Sequence, residues 1–265
     1  MNARAFTLVE LLVVVAIVAL LVGVLLPALG GARVAGMRAV STSNLRQLQL
    51  ANATHAHDHD DRYIAGAPCF LRNLERWHGT RAQIGEPFTP EGAPLTAYLE
   101  GDRSSEALRS CPMFEPTAEQ LRAIGAGFER SCGGYGYNNA YVGTVRAQVT
   151  PGVWAVRDDT RGERSARFDQ PTHTIGFATA AIVTDTLTEY SFVEPPYWPE
   201  YPGFRPDPSI HFRFGGRAPV VWLDGHASTE TRDYTYQSGL YSGDPDAYGI
   251  GWFGTDKDNR LFDHD

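Results

Sequence analysis

The sequence has no excess of positive charge of the kind that nucleic-acid binding requires. Its 31 Asp and Glu residues outnumber its 23 Lys and Arg residues, which gives a formal net charge of −8. Because nothing in this balance attracts a polyanion, we expect no nucleic-acid partner. The sequence also lacks a nucleophile elbow, a phosphate-binding loop and a closed metal-ligand motif, so we expect the protein not to be an enzyme.

Cysteine is scarce, with only Cys69, Cys111 and Cys132 in 265 residues. An oxidising compartment would allow one disulfide and leave one thiol over. A disulfide between Cys111 and Cys132 encloses 20 residues. It would stabilise the fold by roughly 3 kcal/mol if unstrained. The spacing does not select this pair, because three cysteines allow three alternative single bridges.

The composition is that of a folded, loop-rich protein. Charged residues make up 20% of the chain and aromatic residues 11%, beside 27 Gly and 17 Pro. These proportions are typical of a largely β globular part rather than a disordered tail. The chain has room for an anchor and one domain of roughly 200 residues.

One stretch near the N-terminus, from Leu8 to Leu29, is almost free of charge. Its 22 residues contain a single ionisable side chain, Glu10, and are long enough to cross a bilayer as a helix. A carboxylate at that depth costs on the order of 2.5 kcal/mol or more. We therefore expect Glu10 to have a partner outside its own helix.

The residues around Glu10 form a known motif. A short basic leader with Arg4 and Ala5 precedes Phe6-Thr7-Leu8-Val9-Glu10 and the aliphatic run. This pattern resembles the N-terminal cleavage and methylation motif of type IV prepilins and type II secretion pseudopilins, although Ala5 stands where the family usually has Gly. The resemblance implies that prepilin peptidase cuts between Ala5 and Phe6 and methylates the new amine of Phe6. It also implies that Glu10 neutralises the N-terminal ammonium of a neighbouring subunit, since two buried charges each need the other.

The resemblance further implies an α+β, pilin-like fold, in which a long N-terminal helix packs on an antiparallel β-sheet with long irregular loops. The expected function is that of a structural subunit of a pilus or pseudopilus. Its expected partners are prepilin peptidase, other pilin or pseudopilin subunits and the inner membrane, which it crosses once, with the globular domain in the periplasm or on a surface filament. The expected segments are a leader at 1–5, a transmembrane and assembly helix at 6–29, an amphipathic stem helix at 30–60 and the globular domain at 61–265.

Other interpretations stay open. An ordinary signal peptide cut near residues 28–31 would share the basic start, although its apolar region usually has only about 7 to 15 residues. A plain anchor fits the hydropathy equally well, and Arg33, Arg38 and Arg46 after the span would place the bulk of the chain in the cytoplasm by the positive-inside rule. A membrane-anchored extracytoplasmic binding protein, for glycans for example, would not polymerise and would cluster exposed aromatic side chains on one face.

The helical pattern continues beyond Leu29, past a weak point at Gly30-Gly31. Apolar residues recur at helical spacing, while polar residues fall mostly on the other faces. The apolar set is Val34, Met37, Leu45 and Leu48, and the polar set is Arg38, Ser43, Arg46, Gln47 and Gln49. We expect the helix to run to about residue 57 and its second half to lie against the globular domain. Residues 44–51 also resemble the stem sequence of the pilin-like family.

Histidines alternate with aspartates where this helix is expected to end, at His55, His57 and His59. His55 and His59 would share a helical face, which suggests a metal site. A solvated polar turn at the end of the spine helix, as in the pilin-like family, is the interpretation that we favour. A metal-dependent hydrolase would require these side chains to converge with His211 and His226 at about 2.0 to 2.1 Å from one ion.

Strand signals dominate the second half of the chain. β-Branched and aromatic residues predict strands over 153–156, 174–183 and 218–223. We expect 211–214 to pair with 218–223 as a hairpin, and Asp224-Gly225 to form a tight turn that returns 226–231 as the next strand of an antiparallel meander. The stretch 220–226 resembles the C-terminal element of a prepilin-like subgroup, in which a His precedes Asp-Gly by nine residues. Here Phe214 holds that position and the nearest histidine is His211, so only the turn is carried over.

The rest of the chain gives weaker signals. Gly and Pro between residues 65 and 134 predict loops with short helices at 95–100 and 117–124. Four aromatic residues in and after this region are predicted to lie in the core: Trp77, Tyr135, Tyr137 and Tyr141.

The C-terminal tail is acidic. Asp256 and Asp258 alternate like the ligands of a calcium loop but lack the Gly and the distal Glu of an EF-hand. No cofactor is expected other than calcium at this point, and an ordinary solvated acidic tail is the alternative.

Overall fold

The computed structural model describes residues 7–99, 110–114, 131–201, 203–255 and 257–262. Its elements are a long N-terminal helix, short strands that pair antiparallel, and three 3₁₀ turns at Phe70–Arg72, Thr96–Tyr98 and Ser165–Arg167. The helix and strands are α1 (Leu8–Asp58), β1 (Glu75–Arg76), β2 (Gly79–Thr80), β3 (Tyr135–Tyr137), β4 (Val145–Thr150), β5 (Val153–Asp158), β6 (Ile175–Thr179), β7 (Ile182–Val183), β8 (Leu187–Thr188), β9 (Ile210–His211), β10 (Arg217–Trp222), β11 (Ala227–Thr231) and β12 (Ile250–Gly251). The predicted α+β, pilin-like class with one long N-terminal helix and antiparallel sheets is confirmed.

Helix α1 begins after Thr7, which adopts an extended conformation and caps the first turn. Its 51 residues span about 77 Å at 1.5 Å per residue. The helix is continuous through Pro27 and through Gly30-Gly31, so the weak point expected at the glycines does not interrupt it. It ends at Asp58, within one residue of the predicted end.

The second half of α1 packs on the rest of the protein, as the apolar spacing predicted. Leu45 and Leu48 are fully buried, and Val34 and Met37 are partly buried against the same core. Among the polar residues predicted to lie mostly on other faces, Gln49 is the exception, since it is buried. Three further polar side chains of the helix are also buried, namely Ser41, Asn44 and Asn52.

The main sheet has four antiparallel strands in the order β11, β10, β6, β3. Val220 of β10 pairs with Ser228 of β11 on one side and with Ala178 of β6 on the other. Strand β3 pairs with β6 through Gly136 and Ala178. Strands β10 and β6 are the two inner strands, and α1 packs against both, more extensively against β10.

Both faces of this sheet are covered. Along β10, alternate side chains point to opposite faces, so that Val221 joins Leu45 in the core between helix and sheet. Val220 and Trp222 face the other way and pack with Trp252 of the C-terminal region. The predicted core aromatics Trp77, Tyr135, Tyr137 and Tyr141 are all buried.

One predicted pairing is wrong. Residues 211–214 do not form a hairpin with 218–223, because His211 in β9 pairs with Ile250 in β12. The glycine-containing turn is closed by a single bond in which Phe214 N donates to Arg217 O at 3.0 Å. Both edges of β10 are occupied by β11 and β6, so no edge remains for residues 211–214. The meander is therefore limited to β10 and β11.

Two further predictions are modified. The strand expected over 174–183 ends at Thr179, and Ile182–Val183 forms a separate strand that pairs with β8. The short helix expected at 95–100 is a 3₁₀ turn at Thr96–Tyr98. The helix expected at 117–124 lies outside the described residues.

Candidate functional site

The first turn of α1 holds Glu10 in a capping box. The Glu10 carboxylate accepts hydrogen bonds from Thr7 N at 2.8 Å and from Thr7 Oγ1 at 2.7 Å, both at Oε2. In return, Glu10 N donates to Thr7 Oγ1 at 3.2 Å. Thr7, the N-cap residue, is therefore the hydrogen-bond partner of Glu10, and the expected charge-neutralising partner outside the helix stays a prediction. This reciprocal pair satisfies two amides that a helix N-terminus leaves unpaired.

Within the described part of the chain, the Glu10 carboxylate has no counter-charge. Ion pairs among the described residues involve Arg146, Arg161, His226, Arg232 and Arg260, and none of them includes Glu10. Glu10 is exposed, and both bonds from Thr7 use the same oxygen. The arrangement can therefore accept a cation from another molecule without losing the capping box. The two residues of the predicted cleavage site, Ala5 and Phe6, lie outside the described residues.

The apolar half of α1 is not buried by any described part of the chain. From Leu8 to Leu29 its side chains are exposed, whereas burial begins at Val34. Among the described residues, one helix is long and apolar enough to cross a membrane by length and composition, and its apolar window buries nothing in the fold. A signal sequence near an N-terminus passes the same test. The exposed surface far exceeds the few hundred Å² that a soluble monomer usually shows, so it requires a membrane, a partner or both.

Buried polar contacts join the second half of α1, the stem (residues 30–58), to the described residues after α1, which we call the head. Asn44 Nδ2 donates to Tyr135 Oη at 3.1 Å, and Tyr135 Oη donates to Ser41 Oγ at 3.2 Å. Ser41 Oγ also lies 3.1 Å from the sulfur of Cys111. Burial raises the pKa of the Tyr135 hydroxyl, which keeps it protonated as a donor. These bonds fix the helix to strand β3 and to the segment around Cys111.

A second group of bonds lies two turns further along. Asn52 Nδ2 donates to Tyr137 Oη at 3.3 Å, while Asn52 Oδ1 accepts from Ile64 N at 3.0 Å. Tyr137 Oη donates to Ile64 O at 3.2 Å, which closes the group. Burial raises the pKa of Tyr137 well above its ordinary value. Directly after the end of strand β10, Leu223 O accepts a hydrogen bond from Gln49 Nε2 at 2.9 Å.

The Cys111 and Cys132 disulfide is not formed in the structure, where all three cysteines are thiols. Cys111 and Cys132 are buried and Cys69 is exposed. The two buried residues lie on adjoining backbone, because Cys111 N donates to Gly133 O at 2.8 Å. The Cys111 sulfur is engaged by Ser41 in this state. Oxidation of this pair stays a prediction.

Arg213 lies beside the two buried thiols, and His211 lies beside Arg213. Burial lowers the pKa of the Arg213 guanidinium, and the neighbouring Cys111, Tyr135 and Cys132 oppose that shift. The guanidinium carbon lies 4.4 Å from the ring centre of Phe114, and Arg213 Nη2 donates to Ala180 O at 2.7 Å. Burial, with a smaller contribution from the Arg213 charge, lowers the pKa of His211 to about 2. His211 is therefore a neutral core histidine.

The histidines do not converge on a metal site. Among the described residues, no group of three or more His, Cys, Asp or Glu side chains can hold an ion. His55 and His59 stack at 4.1 Å between ring centres, and their Nδ1 atoms lie 3.1 and 3.0 Å from the carbonyls of Arg62 and His55. The requirement of a metal-dependent hydrolase built on these residues is thus not met within the described part of the chain.

Asp224 and Gly225 lie in the loop that joins β10 to β11. Gly225 has a φ of 90° and its N donates to Trp222 O at 2.9 Å, so a residue with a side chain would be strained there. Asp224 Oδ1 accepts from His226 N at 3.0 Å and lies 2.7 Å from His226 Nδ1. The His226 ring stacks on Trp222 at 5.6 Å. His211 is not part of this loop.

Of the two predicted calcium ligands, Asp256 and Asp258, the structure describes only Asp258. Asp256 lies outside the described residues. The Asp258 carboxylate accepts from Arg260 Nε at 2.7 Å and from Arg260 N at 3.1 Å. Its oxygens are therefore used within its own turn, and calcium binding stays a prediction.

Comparison with known proteins bears on the N-terminus alone. The family model described as prokaryotic N-terminal methylation motif matches residues 1–26. The chain carries a prepilin-type N-terminus. No curated protein and no solved structure matches the chain. The match supports a type IV pilin-like precursor, implies processing by prepilin peptidase and, with the long apolar helix, is consistent with membrane anchoring. The C-terminal element resembling the prepilin-like subgroup lies outside the matched residues.

Two features of the prepilin-type N-terminus and its stem were missed from sequence. Thr7 was not predicted to partner Glu10, although Thr-x-x-Glu immediately before an apolar helix is the capping-box spacing. The buried polar face of the stem was not predicted either. No local signal identifies it, because Ser41, Asn44 and Asn52 meet residues of strand β3 about 85 to 94 positions away.

Proposed function

We propose that the chain is the precursor of a structural subunit of a cell-envelope filament, either a type IV pilus or a type II secretion-like pseudopilus. Prepilin peptidase cuts between Ala5 and Phe6 and methylates Phe6. The mature subunit crosses the inner membrane once, with its head in the periplasm, and enters a filament through α1. The observation that carries the proposal is the exposed apolar half of α1, with Glu10 fixed in its first turn and paired with no cation among the described residues.

The geometry of Glu10 supports its role in assembly. In a filament, α1 helices from several subunits bury each other, and the Glu10 carboxylate is then removed from water. An unpaired buried charge costs about 3 to 5 kcal/mol, so a cation must accompany it. The methylated ammonium of Phe6 on a neighbouring subunit supplies one positive charge per subunit and so matches one Glu10 per subunit.

The four aromatic residues that the sequence singles out do not form the exposed surface that a binding protein would need. Trp77, Tyr135, Tyr137 and Tyr141 are core residues, and two of them hold the stem. The stem itself is fixed to the sheet along at least three turns. A plain anchor requires no such junction, because a flexible linker between membrane helix and head serves equally well.

The capping box allows a sharper experiment than simple removal of the carboxylate. Glu10→Gln keeps an oxygen that can accept from Thr7 but removes the charge, whereas Glu10→Leu removes both. If the charge serves assembly, both variants insert, are cleaved, and fail to enter filaments with wild-type subunits. If Glu10 only caps the helix, Glu10→Gln assembles normally. If the chain is an anchor, neither variant has a phenotype.

Two controls accompany this test. Thr7→Ala removes the cap and leaves the charge, so its effect measures the capping contribution, about 0.5 to 2 kcal/mol, by itself. Mass spectrometry of the mature N-terminus checks processing in every variant. The expected mature chain begins at N-methylated Phe6, and a chain that starts at Met1 or near Gly30 contradicts the proposal.

A further inference from the structure

Three aromatic side chains lie together on the surface beside the hairpin of β4 and β5. The ring centre of Trp198 lies 5.1 Å from that of Phe204 and 6.4 Å from that of Tyr201. Tyr201 is 63% exposed and Phe204 is 38% exposed, while Trp198 is partly buried. We call these three residues the aromatic patch. They belong to the head and lie outside the assembly helix.

The loop that carries the aromatic patch is ordered by its own bonds. Trp198 N donates to Phe204 O at 3.2 Å, and Phe204 N donates to Tyr201 O at 2.9 Å. The edge of β5 joins it, because Trp154 N donates to Pro199 O at 3.1 Å. The backbone of each of the three patch residues is thus held by a hydrogen bond, so that a ligand loses little affinity to ordering them.

A buried carboxylate holds the central ring. Glu194 Oε2 accepts from the indole Nε1 of Trp198 at 2.9 Å, and Glu194 Oε1 accepts from Tyr190 Oη at 2.6 Å. Glu194 is itself buried in the head. Because its indole N–H is bonded to Glu194, Trp198 does not offer this N–H to a ligand.

Polar groups border the aromatic patch. Arg146 Nε and Nη2 lie 2.8 and 2.7 Å from Glu200 Oε1. Among the described residues, the second oxygen of Glu200 takes no hydrogen bond, and the side chain is 24% exposed. This oxygen is a hydrogen-bond acceptor next to the aromatic patch, and the exposed Tyr201 carries a hydroxyl that can donate.

The size of the aromatic patch decides between classes of partner. An aromatic side chain covers about 150 to 250 Å² in full, so the exposed fractions leave roughly 200 to 300 Å² in total. A stable protein interface buries about 800 Å² on each partner. The patch is therefore too small to hold a protein by itself, but it matches one or two sugar rings.

We propose that the aromatic patch binds β-1,4-linked oligosaccharides of glucose configuration. All ring substituents of such a sugar are equatorial, so that its two faces present C–H groups with partial positive charge. These C–H groups fit the negative face of an aromatic ring. The hydroxyl groups around the sugar edge need both donors and acceptors, which Tyr201 and Glu200 supply. This activity does not depend on polymerisation.

The test uses the full mature chain, purified in lauryldimethylamine oxide because this detergent has no sugar headgroup. Cellohexaose and chitohexaose are titrated by isothermal calorimetry, with tryptophan fluorescence as a second readout. We expect a Kd of about 0.1 to 1 mM for at least one of them. Tyr201→Ala and Phe204→Ala should each weaken binding by about tenfold. Tyr248→Ala removes an exposed tyrosine that makes no described ring contact with the patch, and it should bind as wild type does.

Several results would overturn the proposal. Binding of neither sugar by wild-type protein at about 10 mM removes the activity, and equal binding by all variants removes the aromatic patch as its site. Weakened association between copies of the chain in Tyr201→Ala, without sugar binding by wild type, assigns the patch to a subunit contact instead. Unchanged thermal unfolding shows that the alanine variants are folded. Glu10→Gln protein should bind sugar normally, so that failure of the filament proposal and failure of this one are distinguishable.

Discussion

A fall in pH from 7 to 5 is expected to destabilise the head, because His211 takes up a proton in the unfolded chain and not in the folded one. The side chain is 7% exposed, and its Nδ1 is buried without a hydrogen-bond partner among the described residues. Burial and the neighbouring Arg213 lower its folded-state pKa to about 2 from an ordinary value of 6.5. An imidazolium at this position would lie next to a guanidinium in a space that excludes water, so the folded protein resists the proton.

The sign and size of the effect follow from this difference in pKa. A group whose pKa is lowered in the folded state stabilises the fold above its unfolded pKa, and this contribution is lost as the pH falls. Between pH 7 and pH 5 the unfolded chain takes up most of a proton at His211 and the folded chain takes up almost none. The free energy of unfolding should therefore fall by about 2 kcal/mol over this interval.

Another buried group acts in the opposite direction. Burial raises the pKa of Glu194, so the folded protein binds a proton at this carboxylate more tightly than the unfolded chain does. As the pH falls through that raised pKa, Glu194 adds stability and hides part of the loss at His211. For this reason the pH dependence of wild-type protein alone does not isolate His211.

The measurement compares variants. Urea unfolding of the full mature chain, followed by tryptophan fluorescence at pH 7 and pH 5, gives the change for wild type and for His211→Gln. The glutamine does not titrate, so the free energy of unfolding of His211→Gln should fall by about 2 kcal/mol less than that of wild type between pH 7 and pH 5. This difference does not depend on the absolute stability of the variant. His57→Gln, at an exposed position of the stem, is the control and should behave as wild type does. Equal pH dependence in wild type and His211→Gln would refute the reasoning.

Two further predictions concern the head. Gly136→Ala should destabilise the head by about 1 to 3 kcal/mol, because the added carbon would lie 2.6 Å from Ala180 Cβ and 2.7 Å from the backbone of Phe192, and thermal unfolding measures this. Gly36→Ala is the control, because a carbon added there meets nothing within 4 Å. It should stabilise the helix by about 0.5 to 1 kcal/mol. Equal effects of the two changes on thermal unfolding would contradict the packing described for Gly136. The second prediction concerns the disulfide between Cys111 and Cys132. Protein isolated from an oxidising compartment is unfolded in denaturant and alkylated without reductant, and we expect label on Cys69 alone. Label on Cys111 and Cys132 would exclude their disulfide.

The helix and the burial of its second half could be predicted from sequence because their causes are local. The uninterrupted apolar run fixes where the exposed half lies, and the spacing of Leu45 and Leu48 marks the face that packs. Gln49 shows the limit of this reasoning. It was assigned to a polar face, yet its amide reaches Leu223, whose position depends on a sheet formed 174 residues later in the chain.

Strand pairing shows the same limit. The predicted hairpin at Gly215-Gly216 relied on a real turn, since Phe214 N donates to Arg217 O. A turn does not require its flanking residues to pair, however, and His211 instead finds Ile250, almost 40 residues further on. The aromatic patch was missed because a proline-rich loop with Trp198 and Tyr201 reads as core or as surface equally well until its neighbours are placed.

The buried polar groups of the stem have a consequence for assembly that an apolar stem would not have. A helix held to a sheet only by leucines could slip by one turn, about 5.4 Å, and regain most of its contacts. The same slip would leave the partners of Ser41, Asn44, Gln49 and Asn52 unpaired, at about 1 to 3 kcal/mol each. The head is therefore fixed at one height on α1, which in turn fixes the distance from the head to Glu10. A subunit that must present its first turn to a neighbour at a defined depth, as we propose here, requires that distance to be the same in every copy.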